Sequence, residues 1–241
     1  MNKTIGILGG TFDPPHWGHI HLAAHFAKRL KLDELMWLPS GEPWQKGAHI
    51  TPAVDRYAMT LAAAEVLEFE LQQLDLGTRV TVNTMEIDRA GPSYTIDSAK
   101  ALRQNYGDQT SLIWLMGADS FLQLYTWNDW RDLMHYIHLA VASRPPYRIK
   151  VQLRDHPPLL THYEAHQSTN ALQLGKQSCG LIYLDEELSI DLASSSLRPL
   201  LAQHPNADAI QQRDWRPSGI IIIIQLLIAP AADHSTCPEI G

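Results

Sequence analysis

The sequence predicts a doubly wound α/β domain, in which helices cover both faces of a parallel sheet. Short β-branched runs alternate with longer segments of helical period, a pattern typical of that fold class. The 241 residues are enough to bury a sizeable core, and a composition of 45% hydrophobic and 19% charged residues is that of a globular domain. Glycines and polar residues follow three of the runs, at the ends of strands where such sheets bind ligands.

The first 68 residues predict two strands, each followed by a helix. "TIGILGG" (Thr4 to Gly10) predicts a buried first strand, and apolar residues at steps of three and four after His16 predict a helix. Those residues are Ile20, Ala23, Ala27 and Leu30. "ELMWLPS" predicts a second strand that ends near Pro39. The pair Thr51-Pro52 predicts an N-cap followed by proline at the first helical position, opening a helix to about Glu68.

Four more strands are predicted between residues 79 and 185. "RVTVNTMEI" is expected to be the third, and "SLIWLMGAD" the fourth, breaking at Gly117. The helix between them is indicated by Ile96, Ala99, Leu102 and Tyr106. "IHLAVASR" is expected to be the fifth strand and "GLIYLD" the sixth. The polar, proline-containing stretch 145–179 between these two predicts no definite element.

Charge and cysteine content exclude several classes of partner. The net charge of −7 gives the chain no overall attraction to nucleic acid or to a membrane surface, so an anionic ligand would need a local group of positive charges. Cys179 and Cys237 form no CxxC motif, which favours the reducing cytoplasm. The apolar run "IGIL" is too short for a signal peptide, and "IIIIIQLLIAP" has about half the length of a membrane-spanning helix. We expect a cytoplasmic protein.

Three clusters of special residues are predicted to converge at one edge of the sheet. Gly9-Gly10-Thr11 follows the first strand, Ser40-Gly41 the second and Gly117-Ala118-Asp119 the fourth. Ligands of doubly wound sheets bind outside the carboxyl ends of the strands, where the winding direction changes. We therefore expect the binding crevice there.

The stretch "GGTFDPPHWGH" suggests phosphate chemistry without the common phosphate-binding fingerprints, since neither G-x-x-x-x-G-K-[ST] nor G-x-G-x-x-G follows the first strand. Gly9 and Gly10 expose the backbone, and His16 and His19 would lie on the first turn of a helix, where free N–H groups attract anions. Two imidazoles could donate hydrogen bonds to phosphate oxygens there. With 12 histidines in the chain, a surface pair arising by chance is the competing interpretation. A zinc site is disfavoured because no third ligand has suitable spacing.

The whole string resembles the H-x-G-H signature of the nucleotidylyltransferase superfamily, and within it the chain resembles bacterial nicotinate-nucleotide adenylyltransferases. The matches follow in order over roughly residues 4–200: "LPSGEPWQK", "SYTID", "MGADSFLQLYTWNDW", "ASRP" and "LASSSLRPLL". The resemblance implies a Rossmann-like sheet of the nucleotidylyltransferase type over residues 1–203, followed by an atypical segment, 204–241. It implies that the chain joins nicotinate mononucleotide to ATP, giving nicotinate adenine dinucleotide and pyrophosphate for NAD biosynthesis. Mg²⁺ would be carried on the ATP phosphates rather than in a protein cage.

The same resemblance implies roles for particular residues. His16, His19, Lys46 and Arg198 would be catalytic through charge stabilisation. The ATP site would comprise both histidines and Arg198 with Gly9, Gly10, Thr11, Phe12, Ser194 and Ser195. The mononucleotide site would comprise Tyr94, Thr95, Asp119, Trp127, Asn128 and Arg144, with Trp127 stacking on the pyridine ring. No metal-ligating side chain is implied.

The chain departs from the family's pattern at four positions near the expected phosphates. Gln45 stands where the family usually has histidine, and Trp44 where it has proline. Ala193 replaces a serine, and Pro199 disfavours the helical conformation for Arg198. The segment 204–241, with its five consecutive isoleucines, differs from the family's terminal helix altogether.

Other interpretations stay open at the level of sequence. A sister adenylyltransferase that prefers nicotinamide mononucleotide differs only in using an amide instead of a carboxylate acceptor. A phosphopantetheine acceptor is less favoured, because S-Y-T and W-x-x-W suit a small aromatic ring. A nucleotide-binding protein without catalysis is the alternative from another class, and the sequence does not decide whether the chain forms a homo-oligomer.

Overall fold

The computed structural model describes residues 2–42, 50–143 and 149–186. Within these ranges, seven strands form one sheet in the order β3-β2-β1-β4-β5-β7-β6, and every neighbouring pair is parallel. The strands are β1 (Thr4–Gly10), β2 (Glu34–Pro39), β3 (Arg79–Val82), β4 (Ser111–Gly117), β5 (His138–Ala142), β6 (Gln167–Ser168) and β7 (Ile182–Asp185). The predicted doubly wound α/β fold is therefore confirmed.

Helices cover both faces of the sheet. The α-helices are α1 (Trp17–Leu30), α2 (Ala53–Gln73), α3 (Thr95–Tyr106), α4 (Ala118–Leu122), α5 (Ile149–Gln152) and α6 (Pro157–His166). Short 3₁₀ segments span Leu124–Thr126, Trp130–His135, Leu153–Asp155 and Ala171–Lys176. In the part of the chain that the structure describes, no helix is both long enough and apolar enough to span a membrane.

Successive residues of each central strand point to opposite faces, and this builds two cores. In β1, Ile5 and Ile7 pack into the core beneath α3, α4 and α6, whereas Leu8 packs into the core beneath α1 and α2. The chain winds from β1 outward through β2 to β3, then returns to β4 on the other side of β1. The switch in winding direction thus lies between β1 and β4, where open α/β sheets place their ligands.

Helix α2 differs from its predicted bounds at both ends. Its N-cap is Pro52 rather than Thr51, because the N–H groups of Asp55 and Arg56 both donate to the Pro52 carbonyl. The helix runs beyond Glu68 to Gln73, since the buried Leu71 extends the apolar stripe by another turn.

Two strand predictions also need correction. Strand β3 ends at Val82 instead of continuing to Ile87, because the Asn83 side chain accepts a hydrogen bond from the Met85 N–H at 2.9 Å and turns the chain. "GLIYLD" forms the seventh strand rather than the sixth, since the two-residue β6 precedes it and pairs with it at the edge of the sheet.

Candidate active site

The three predicted clusters lie together at the carboxyl edge of the sheet. Gly10 is paired with Pro39 of β2, and Leu8 with Leu115 of β4, so these three strands end side by side. The Ser40 N–H donates to the Gly10 carbonyl at 2.9 Å, which ties the segments after β1 and β2 together. The edge is also the switch point, so the three clusters lie where the sequence predicts a binding crevice.

The two histidines of the H-x-G-H motif form one unit at the start of α1. His16 is the buried N-cap with extended backbone, and its N–H donates to Nδ1 of His19 at 3.1 Å. The two rings are stacked, with centroids 3.8 Å apart and planes 29° from parallel. Because Nδ1 of His19 accepts this bond, a neutral His19 ring carries its proton on Nε2 and can donate from there.

The ring of Phe12 packs against the ring of His19. Its ring is buried and meets the ring of His19 edge-on at 5.1 Å and that of Trp37 at 5.0 Å. To reach this place the backbone of Phe12 takes a φ of 50°, a left-handed conformation that is unfavourable for a bulky residue. Such strain persists only where surrounding packing enforces it, and it is concentrated at functional sites.

The two glycines before the motif are required by packing. A Cβ atom at Gly9 would lie 2.2 Å from Cζ2 of Trp114, and one at Gly10 would lie 2.9 Å from Cε1 of Phe12. Both positions are thus closed to side chains by aromatic rings. Packing is thus a second reason for glycine at these positions, beside the close approach of a ligand that the sequence predicts.

A buried arginine that is absent from the predicted site residues connects the loops of this edge. Arg56 is 1% exposed, and its guanidinium donates to the carbonyl oxygens of Thr11 at 2.8 Å, Ser40 at 2.6 Å, Gly41 at 2.7 Å and Thr51 at 2.9 Å. Burial lowers its pKa, and the charge of Asp13 acts in the opposite direction. The sequence could have indicated a buried arginine, because Arg56 lies at helical spacing from the apolar residues on the inner face of α2.

The S-Y-T motif lies beside the loop that follows β2. The Ser93 Oγ accepts from the Gly41 N–H at 3.0 Å, and the Ser93 N–H donates to the Glu42 carbonyl at 3.0 Å. Tyr94 is the N-cap of α3 and Thr95 its first residue. Both candidate residues thus lie at the carboxyl edge of the sheet.

A buried carboxyl group supports this motif from the interior. Glu86 accepts a hydrogen bond from the Ser98 Oγ at 2.5 Å. Burial raises the pKa of Glu86, and the contacts with Ser98, Arg89 and Ser93 oppose that rise.

The remaining candidates for the mononucleotide lie near the end of β4. Asp119 is in the first turn of α4, directly after the strand. Trp127 is half-buried and packs on the same core as Tyr94, whereas Asn128 is exposed and donates to Asp129 Oδ2 at 3.0 Å. The histidines belong to the α1 side of the sheet and these residues to the α3 side, so the switch point lies between the two sets.

Several predicted residues lie outside the described ranges: Lys46, Arg144, Ser194, Ser195 and Arg198, with Trp44, Gln45, Ala193, Pro199 and the segment 204–241. Among the residues that are described, no group of three or more His, Cys, Asp or Glu side chains could hold a metal ion.

Comparison with known proteins gives consistent matches over most of the chain. Residues 7–198 match the cytidylyltransferase-like family. A protein of Herminiimonas arsenicoxydans named "Probable nicotinate-nucleotide adenylyltransferase" is 36% identical over 202 residues, covering 83% of this chain and 87% of its own length. A protein of Methylococcus capsulatus with the same name is 36% identical over 204 residues, covering 84% and 90%.

Solved structures agree on the fold. The nicotinic acid mononucleotide adenylyltransferase of Plasmodium falciparum, complexed with NaAD, has a TM-score of 0.59 to this chain at 15% identity, covering 93% of this chain and 96% of its own. At that level of identity the likeness supports the architecture alone.

Proposed function

The chain belongs to the nicotinate-nucleotide adenylyltransferase family, within the cytidylyltransferase-like group, and on that premise we propose that it joins nicotinate mononucleotide to ATP, giving nicotinate adenine dinucleotide and pyrophosphate in NAD biosynthesis. One observation carries the proposal. His16 and His19 stack on the first turn of α1, at the point where the sheet changes its winding direction. A helix N-terminus with two ring donors at that point suits a phosphate-bearing substrate.

The reaction needs positioning and charge stabilisation more than an enzyme nucleophile. An oxygen of the mononucleotide's 5′-phosphate attacks the α-phosphorus of ATP in line, and the bond to the β-phosphate oxygen breaks. Pyrophosphate leaves with the electron pair of that bond. His19 donates from Nε2 and the helix N-terminus adds positive potential, so both oppose the negative charge that develops during transfer.

The triphosphate would follow the segment after β1. We assign backbone contacts to Gly9, Gly10, Thr11 and Phe12, in addition to the two histidines. Lys46, Ser194, Ser195 and Arg198 are proposed as further phosphate contacts on the basis of the family's motifs. Imidazoles and amide N–H groups are not ligands that Mg²⁺ prefers, whereas phosphate oxygens are, so the proposed ion would arrive with ATP.

The mononucleotide would bind on the α3 side of the switch point. Trp127 offers a half-buried ring for stacking on the pyridine, and the pair Tyr94-Thr95 at the start of α3 would face the nicotinate carboxylate with Asn128. Asp119 would bind a ribose hydroxyl, and Arg144 is assigned to the same nucleotide. The cytoplasmic location and any homo-oligomeric assembly stay predictions from the sequence.

Pyrophosphate release by the purified protein tests this function directly. ATP and Mg²⁺ are supplied with nicotinate mononucleotide in one sample and nicotinamide mononucleotide in a matched sample. We expect release with the acid and little with the amide. A preference for the amide would overturn the acceptor while keeping the reaction. Absence of release with either, from folded protein that binds ATP, would overturn catalysis.

A further inference from the structure

Arg56 connects the backbone segments at the carboxyl edge of the sheet. Its side chain reaches from α2 to the carboxyl edge and donates to four backbone carbonyls there. Thr11 belongs to the segment between β1 and α1, Ser40 and Gly41 follow β2, and Thr51 precedes α2. A single guanidinium therefore fixes three stretches of backbone relative to one another.

Burying this charge is costly, so its placement needs a reason. A buried cation loses its hydration, and fully satisfied hydrogen bonds only offset that loss. Apolar residues of similar volume avoid the cost of the buried charge, but they would leave these four carbonyls without their donor. A guanidinium differs from them in presenting rigid, planar donors, which set both the distance and the direction of each bound carbonyl.

The direction matters most at Thr11. Its peptide bond to Phe12 is trans, since the cis bond in this stretch is the next but one, Asp13–Pro14. In a trans peptide the C=O and N–H groups point in opposite directions. Because the Thr11 carbonyl is directed toward the buried Arg56, the Phe12 N–H is directed away from Arg56.

We propose that Arg56 is a positioning residue for the ATP site, which holds the Thr11 carbonyl inward so that the Phe12 N–H faces the triphosphate beside the two histidines. The inference rests on the proposed function. Arg56 itself touches no substrate. It acts by keeping the segment after β1 in register with the segment after β2, and a 1 Å error in such placement can cost about a hundredfold in rate.

The chain contains a matched control at the opposite edge of the sheet. Arg103 of α3 is 9% exposed and likewise donates to backbone carbonyls. Its acceptors are Gly107 at 2.7 Å, Thr110 at 2.7 Å, Tyr136 at 2.7 Å and Ser178 at 2.7 Å. These residues precede β4, β5 and β7, so they lie at the amino edge, away from the crevice. Variants of Arg103 thus measure the effect of removing a buried arginine that binds backbone carbonyls at a place where no ligand is expected.

The experiment compares Arg56→Lys and Arg56→Met with Arg103→Lys and Arg103→Met. For each we would measure the melting temperature, the Kd for ATP by calorimetry, and kcat and KM with both substrates. All four variants should be less stable than the parent chain. Arg56→Met should lose about a hundredfold in kcat/KM for ATP, and Arg56→Lys, which keeps the charge but not the planar fork, should lose ~10-fold. The Arg103 variants should stay within about twofold of the parent chain in kcat/KM and in Kd, since no reacting group is displaced.

Two results would overturn the proposal. One is ATP binding and turnover by Arg56→Lys that match those of the parent chain. The other is an equal loss in the Arg103 variants of similar melting temperature, which would make the effect one of general stability. If Arg56→Met does not fold, the comparison of Arg56→Lys with Arg103→Lys still tests the proposal. If the parent chain binds ATP without turnover, the proposed function fails, and the Kd values still test Arg56 by themselves.

Discussion

Replacing Gly9 by alanine tests why the chain has glycine at the end of β1. The added methyl group would lie 2.2 Å from Cζ2 and 2.9 Å from Cη2 of Trp114. Carbon atoms in good contact are about 3.5–4.0 Å apart, so the indole would have to retreat by more than ~1 Å. Trp114 is 4% exposed and sits in the core beneath α3, where close packing resists such a movement.

Overpacking of this kind costs about 1–3 kcal/mol of unfolding free energy. For a domain of this size each kcal/mol lowers the melting temperature by about 2–4 °C, so Gly9→Ala should melt roughly 2–12 °C below the parent chain. Trp114→Phe removes the atoms that the methyl group meets. The double variant should therefore be more stable than the sum of the single changes implies, by about 1 kcal/mol or more.

Thermal melting of the four proteins completes this cycle, and the Kd for ATP adds the functional test. An unchanged melting temperature in Gly9→Ala, or strict additivity in the double variant, would refute the packing argument. If the double variant regains stability and still binds ATP more weakly than Trp114→Phe does, Gly9 also serves the approach of the ligand.

Three further predictions concern the site and its pH response. His19→Ala should lower kcat about a hundredfold or more, whereas His19→Gln, which keeps a capping-box partner for His16, should keep the stability but not the rate; near-normal pyrophosphate release by the alanine variant would contradict the assigned role. Trp127→Ala should raise KM for the mononucleotide more than KM for ATP, and equal increases would argue against stacking. Burial lowers the pKa of His138 to about 4, and its Nδ1 accepts from the Leu181 N–H at 3.0 Å, so protonation is disfavoured in the folded state. Because the unfolded side chain titrates near 6.5, its contribution to stability is complete above that pH and declines as the pH falls toward 4, by on the order of 3 kcal/mol. His138→Gln should flatten this part of a urea-midpoint profile, and His162, whose pKa burial also lowers to about 4, should leave a slope of the same sign in the variant; parallel profiles would contradict the prediction.

The central strands were predictable because their signal is local. The bounds of β1 and the start of α1 match the prediction, since apolar runs and helical spacing act within a few residues. β6 was not predictable, because two residues become a strand only through pairing with β7. For a related reason the sequence predicted no definite element in 145–179. The described part of this stretch contains only short elements, of which α6 is the longest. Such elements depend on packing against the rest of the fold more than on a periodic pattern of apolar residues.

The candidate site was predictable where a motif was continuous in the chain. His16 and His19 lie within four consecutive residues, so the position of both side chains could be predicted from the end of β1 and the start of α1. Arg56 depends on carbonyls from three separate segments, and hydrogen bonds to a backbone leave no pattern in residue types. The reason for Gly9 likewise lies in a ring on another strand, which only the sheet order brings near.

The contact between Gly9 and Trp114 also limits how this sequence can diverge. Any side chain at position 9 is excluded as long as the indole occupies its present place. A descendant that loses the glycine therefore keeps its stability best if position 114 changes first or if both positions change together. Among distant descendants the two positions should consequently vary as a pair although they are far apart in the chain.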